Sequence, residues 1–216
     1  MRTGRPRSFC KDEALDRAMT VFWRQGYEGA SLSDLTAAMG INSPSLYACF
    51  GSKEGLFRAV LARYDERRSE FMAKVLAAPT AREVAQTFLE GVARFAADTS
   101  GRNPPGCLLL QSGMSCSDKD IPDEVARHRA EKETALRARF ERARAEGDLP
   151  GSADPCALAC YLTTMANGMC VQAAGGADVG RLMEVAGIAL ASWPADEKPA
   201  GEKKAARRSR PAAERV

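Results

Sequence analysis

Residues 31–57 read SLSDLTAAMGINSPSLYACFGSKEGLF. Ser31 with Asp34 three residues on makes a capping-box-like helix start, and Leu32, Leu35 and Met39 carry an apolar face as far as Gly40. Asn42 or Ser43 then caps a second short helix, which tolerates Pro44 in its first turn and ends near Gly51. Ser52-Lys53-Glu54-Gly55 opens a long helix through Phe57, Val60, Leu61 and Tyr64 toward Leu76, with Pro79 as its stop. Upstream, Leu15, Ala18, Met19, Phe22 and Trp23 follow the helical i, i+3, i+4, i+7 stripe, and Gly26 sits where a C′ glycine closes a helix. Short helices joined by the turn Met39-Gly40-Ile41-Asn42 are what a helix-turn-helix requires, one supporting, one crossing the backbone and one entering the major groove. Any helical protein contains a helix, a glycine turn and another helix, so the pattern alone leaves DNA binding and plain helix packing both open.

Outward from this unit, almost every segment reads as helix and none alternates like a strand. Further helices are expected from Ala81 to Asp98, Gly106 to Ser115, Pro122 to Glu146, Pro155 to Ala173 and Val179 to Ser192, separated by SGRNPPG, SDKDIP, GDLPGSADP and GGADVG. The fold class is all-α: an N-terminal three-helix helix-turn-helix unit followed by a larger helical domain. The organisation expected is a basic arm over 1–10, a helix-turn-helix domain over 11–56, a second helical domain over 57–194, and a basic disordered tail over 195–216. The tail holds seven basic and four acidic side chains, and its excess of three equals the formal charge of the whole chain, +3. Such a charge is too small to establish a nucleic-acid partner by itself.

Residues 155–177 carry no charge, yet Thr163, Thr164, Asn167, Gln172 and several Gly and Ala make a buried helix the better reading than a membrane span. The N-terminus has arginines but no apolar stretch after them, so no export signal is read. Seven cysteines, an odd number, then suggest reduced thiols in the cytoplasm. No membrane partner and no cofactor or metal is expected.

The run from Phe22 to Tyr64, FWRQGYEGASLSDLTAAMGINSPSLYACFGSKEGLFRAVLARY, resembles the DNA-binding region of the TetR/AcrR family of bacterial transcription regulators. Phe22, Gly26, Tyr27, Ser31, Leu35, Gly40, Ile41, Leu46, Tyr47, Phe50, Lys53, Glu54, Leu56 and Phe57 match its pattern, and GCLLLQSGM resembles the start of the sixth helix in some members. The resemblance implies a homodimeric repressor with two reading heads on a near-palindromic, double-stranded operator, released when a small effector enters the C-terminal domain. By position, Tyr47 is set to donate to a phosphate unless it is a core tyrosine. Asn42, Ser43 and Ser45 can bond bases or phosphates as well as cap, and Pro44 can meet a thymine methyl. Lys53 falls at a helix start suited to a phosphate, and Ser31 and Ser33 open the second helix, where backbone contacts usually fall. The recognition helix carries no Arg or Lys, so the arm RTGRPR, with Arg5 and Arg7, is either a minor-groove reader or a solvated source of nonspecific charge.

In this family the last two helices usually form the dimer. Leu158, Leu162, Met165 and Met169 make one stripe, with Leu182, Ala186, Leu190 and Trp193 on the other helix; the alternative is a bundle inside one subunit. An effector pocket lined by Phe88, Phe95, Cys107, Leu110, Gln111, Met114 and Met165 is expected, for an apolar or weakly polar ligand because few charges fall on these segments. Cys107 follows Pro104-Pro105-Gly106 at a helix start that favours a thiolate, which raises a rival function, a thiol-based sensor of electrophiles or oxidants. Cys156 and Cys160 share a helix face and are expected to be buried; Cys49 lies in the recognition helix. An enzyme is not expected: the single histidine, His128, lies in a charged run read as a solvated face, and no phosphate loop or carboxylate pair appears.

Overall fold

The computed structural model describes residues 10–98, 100, 103–113 and 120–194. Among the described residues it is all helical: α1 (Lys11–Gly29), α2 (Leu32–Met39), α3 (Ser43–Phe50), α4 (Lys53–Leu76), α5 (Ala81–Ala96), α6 (Leu108–Gly113), α7 (Asp120–Ala145), α8 (Pro155–Ala174) and α9 (Val179–Ala191). The arm with Arg5 and Arg7, Met114, Cys116 and the tail lie outside the described residues.

The helix ends are where local chemistry puts them. Ser31 Oγ accepts from Asp34 N at 3.1 Å, Asn42 Oδ1 from Ser45 N at 2.9 Å, and Ser52 Oγ from Gly55 N at 3.0 Å. Each such cap is worth about 1 kcal/mol. Gly40 (φ 69°) and Gly51 (φ 76°) close α2 and α3 in backbone conformations that other residues adopt only under strain. Gly26 breaks α1 as expected, with φ 70° and ψ 175° inside the helix.

Two apolar clusters hold the chain together. The first joins α1, α2, α3 and the N-terminal half of α4 to α6 and the start of α7, through Leu108, Leu109, Ile121 and Val125. The second gathers α5, α8, α9 and the C-terminal half of α7. Helix α4 belongs to both: Leu56, Phe57, Val60, Leu61 and Tyr64 lie in the first, Val75 in the second. Its 24 residues span about 36 Å. The far end of α4 is closed by Arg139 of α7, buried, which donates to Leu76 O at 3.2 Å, Ala78 O at 2.9 Å and Pro79 O at 3.0 Å.

Three expectations change. Leu162, Met169, Leu182, Ala186, Leu190 and Trp193 do not face outward for a partner; they are buried in their own subunit's second cluster, with Leu158 half-buried against it. The apolar face of α5 (Val84, Phe88, Leu89) and the Phe140 ring, 5.4 Å from Trp193, cover them. His128 is not on a solvated face: its side chain is mostly buried against α4, where Nδ1 pairs with Asp65. Cys156 and Cys160 are exposed, because Ala159 and Leu162 supply the inward face of α8.

Gly55 fixes the α3–α4 corner, since a Cβ there would overlap the carbonyl oxygen of Phe50. Gly55→Ala is therefore expected to cost about 2 kcal/mol despite the better helix propensity of alanine, seen as a lower urea midpoint at unchanged slope. Gly151→Ala, with open space around the added carbon, should change stability by no more than about 0.5 kcal/mol.

Candidate functional site

The outer face of α3 is built by what holds its inner face. Eight residues are too few for a helix to persist alone. Leu46 anchors it in the first cluster, fully buried, while Asn42 caps one end and Gly51 the other. That leaves Ser43, Pro44, Ser45, Tyr47 and Cys49 exposed side by side. Tyr47 is 48% exposed, so it is not a core tyrosine. Ser31 and Ser33 are exposed at the start of α2. Ser31 is already engaged, accepting from Asp34 N and donating to Asp34 Oδ2 at 2.7 Å.

Lys53 is more committed than its position suggested. Its ammonium donates to the carbonyl of Glu28 at 3.4 Å and stands 4.7 Å from the centre of the Tyr27 ring, tying the start of α4 to the end of α1. A basic residue that the sequence reading passed over is nearer α3. Lys11, exposed at the start of α1, has its Nζ 5.7 Å from the centre of the Phe50 ring. Lys11 is the first residue of α1, and its proximity to α3 follows from how the helices pack rather than from any local signal.

Behind the head, a cavity of about 300 Å³ opens between α4, α5, α6, α7 and α8. Its apolar wall includes Met72, Phe88, Val92, Leu109 and Leu110. Of the expected pocket residues, Phe88, Cys107 and Leu110 line it. Gln111 lines a neighbouring cavity of about 410 Å³ beside Gly26, which shares Cys107, Leu110 and Cys170 with the first. Phe95 and Met165 do not line the cavity: Phe95 is drawn toward the Trp23 ring, 5.8 Å away, and Met165 packs on the second cluster. The wall is also more polar than expected, because α4 and α7 add Arg68, Arg129, Lys132 and Glu133 to the segments from which the ligand's polarity was read.

Polar groups at the inner end form a chain. Arg68 Nη1 donates to Tyr64 Oη at 2.9 Å, and that oxygen lies 3.4 Å from Cys107 Sγ. Burial, then the neighbouring Cys107, raises the Tyr64 phenol well above its ordinary value. Hydrogen bonding with the Cys170 thiol, and next the Arg68 guanidinium, hold the Cys107 thiol well below its own. The same hydrogen bond, with burial, raises Cys170. Lys132 is lowered by burial and by Arg68, against the pull of Asp65, whose Oδ1 is 3.4 Å away. Thus α4 carries, on one rod, contacts with the head at Phe57 and contacts with the cavity at Tyr64, Arg68 and Met72.

Comparison with known proteins agrees with this arrangement. The family model described as bacterial regulatory proteins, tetR family, matches residues 14–60. The repressor ComR of Escherichia coli K12 is 39% identical over 204 residues, covering 88% of this chain and 92% of ComR. The repressor BdcR of the same organism is 31% identical over 135 residues, 62% of this chain and 66% of BdcR. Among solved structures, a cysteine-substituted form of the TetR family regulator CifR, complexed with 26-base-pair operator DNA, superposes with a TM-score of 0.83 at 41% identity, covering 88% of this chain and all of that one. These relatives are transcription regulators rather than enzymes, and they do not favour the rival reading of a thiol sensor whose helix-turn-helix is incidental. On the match to ComR across nearly its whole length, the chain belongs to the TetR family of bacterial regulators.

Proposed function

We propose that this chain is a cytoplasmic, effector-responsive transcriptional repressor that binds a near-palindromic operator as a homodimer. The observation that carries the reading is the exposed, uncharged face of α3, joined by one uninterrupted helix, α4, to a cavity 300 Å³ in volume. Residues 11–56 act as the head and 57–194 as the effector and dimer domain. In the head, Asn42, Ser43, Pro44 and Ser45 meet base edges and phosphates at short range, and Tyr47 donates to a phosphate. Ser31, Ser33, Lys53 and Lys11 supply backbone contacts around them, with Arg5 and Arg7 following the flanking minor groove.

The dimer uses the faces of α8 and α9 that the subunit core leaves free. Cys160, Thr164, Gly168 and Val171 on α8 and Gly187 and Ile188 on α9 are exposed, and Val171 and Ile188 are among the few large apolar side chains left in water, at 55% and 74%. Gly168 and Gly187 have nothing within reach of an added Cβ, which suits close approach of two helix pairs. Two-fold symmetry then sets two half-sites about one helical turn apart or slightly more. Effector binding moves α4 and with it the separation of the two α3 helices; a coupling of about 1–3 kcal/mol changes operator affinity about 5–150-fold.

Two measurements test this. Tyr47→Phe removes one hydroxyl from an exposed position, so operator affinity, read by fluorescence anisotropy on DNA selected from a random pool, should fall about 3–10-fold with unchanged thermal stability. Unaltered affinity would remove Tyr47 from the interface. Gly187→Arg places a long cation in space that is open in the subunit, so the fold should persist while light scattering reports a monomer. A dimer surviving that change would place the interface elsewhere.

A further inference from the structure

The cavity holds a cation that the fold leaves without a carboxylate. Four arginines lie along α4. Arg58 pairs with Glu54, and both Arg63 and Arg67 pair with Asp16. Arg68, one residue further on, turns instead into the cavity wall and has no carboxylate partner among the described residues. Its guanidinium is caged by rings, 4.2 Å from the centre of Phe95, 5.4 Å from Tyr64 and 5.9 Å from Phe71. One Nη bonds Tyr64, but the Nε, buried, has no acceptor. A desolvated donor left open is costly, more so when charged, and a guanidinium is matched in charge and geometry to a carboxylate.

The rest of the cavity adds to the case. Lys132 of α7 also lines it, with its ammonium 5.5 Å from the centre of the Tyr64 ring, and Arg129 is exposed on the same helix. Away from these cations the wall is largely apolar, with Met72, Phe88, Val92 and Leu110 beside the uncharged Thr163 and Asn167. Among the described lining residues Glu133, which accepts from Thr163 Oγ1 at 3.1 Å, is the one carboxylate, set against Arg68, Arg129 and Lys132. Resting on the effector reading above, we propose that the cavity takes an amphipathic organic anion, its carboxylate at the Arg68 and Lys132 side of the wall and its apolar body along α5 and α6. Such a ligand bonds α4 directly, one turn from Tyr64, so its binding acts on the helix that carries the head.

The test is isothermal titration calorimetry of the full chain with octanoate, 1-octanol and octylamine, which share an apolar tail and differ in head-group charge. Octanoate is expected to bind about tenfold or more tighter than 1-octanol, with octylamine weakest. In Arg68→Met the preference for octanoate should collapse while 1-octanol affinity is retained; in Arg67→Met, which removes the neighbouring cation that pairs with Asp16 outside the cavity, it should persist. Equal binding of octanoate and 1-octanol by the native chain overturns the anion assignment and leaves the effector cavity standing, and that comparison needs no variant to fold. Binding of none of the three overturns the cavity reading together with it. Loss of the preference in Arg67→Met, with Arg68 intact, also overturns the assignment to Arg68.

Discussion

Trp23 of α1 and Tyr64 of α4 meet edge to face at 5.5 Å, and Phe95 of α5 closes on both at 5.8 Å and 6.3 Å. The remainder of the structure depends on this three-ring joint, because it is where α1, the connecting helix α4 and the C-terminal end of α5 share one contact. Aromatic rings bury large areas and prefer particular mutual angles, and close-packed interiors do not deform continuously. A rotation of α4 near Tyr64 must therefore be answered by Trp23 or break the joint. Tyr64 also faces the cavity chemistry through its hydroxyl, bonded to Arg68 and beside Cys107. The ring and the hydroxyl of a single side chain thus belong to the two halves of the mechanism.

The head obeys a different constraint. Helix α3 has a single fully buried side chain, Leu46, and is otherwise held by its ends. Using Asn42, Gly51 and the crowded Gly55 corner for structure frees the outward residues from structural duty. Their lack of charge is then consistent with a division of labour. In the proposed complex, attraction toward phosphates, which falls off over a Debye length of about 8–10 Å, comes from Lys11 at the Phe50 ring and Lys53 at the Tyr27 ring, outside the face of α3 proposed to read. In the same proposed complex Asn, Ser, Pro and Tyr act only at contact, where sequence is distinguished.

What the sequence made legible is what local chemistry determines. Ser31, Asn42, Gly26, Gly40 and Gly51 mark helix ends through bonds to residues three or four positions away, and all fall where expected. Which face of a helix meets which neighbour is not local, and there the reading failed. Leu162 and Leu182 look like an interface stripe on their own helices, but α5 takes that stripe inside the subunit. His128 lies in a run dense with charge, yet α7 turns it onto Asp65. The residues of the cavity divide in the same way: Phe88, Cys107 and Leu110 were found from apolar spacing and a helix start, whereas Arg68 was not. Nothing local distinguishes Arg67 from Arg68. Successive residues on a helix point about 100° apart, and only the packing of α4 on α1 and α5 sends one to Asp16 at the surface and the other to the rings.

That 100° matters for the proposed coupling between a ligand and the head. A ligand shifts an equilibrium only by its differential affinity for two states, so a contact that the protein already satisfies offers little leverage. Along α4 the satisfied sites are Arg58, Arg63 and Arg67 with their carboxylates, and Asp65, held by His128 and Lys132 of α7. Arg68 is the place on the cavity side of the helix where a buried donor still lacks an acceptor. Filling it strengthens one position of α4 relative to others. Because Asp65, three residues before, is clamped to α7, α4 cannot turn freely at this level; it moves with the N-terminal half of α7 or releases that clamp. Ile121 and Val125 at the start of α7 pack in the head cluster, so either outcome changes the surface on which the head rests.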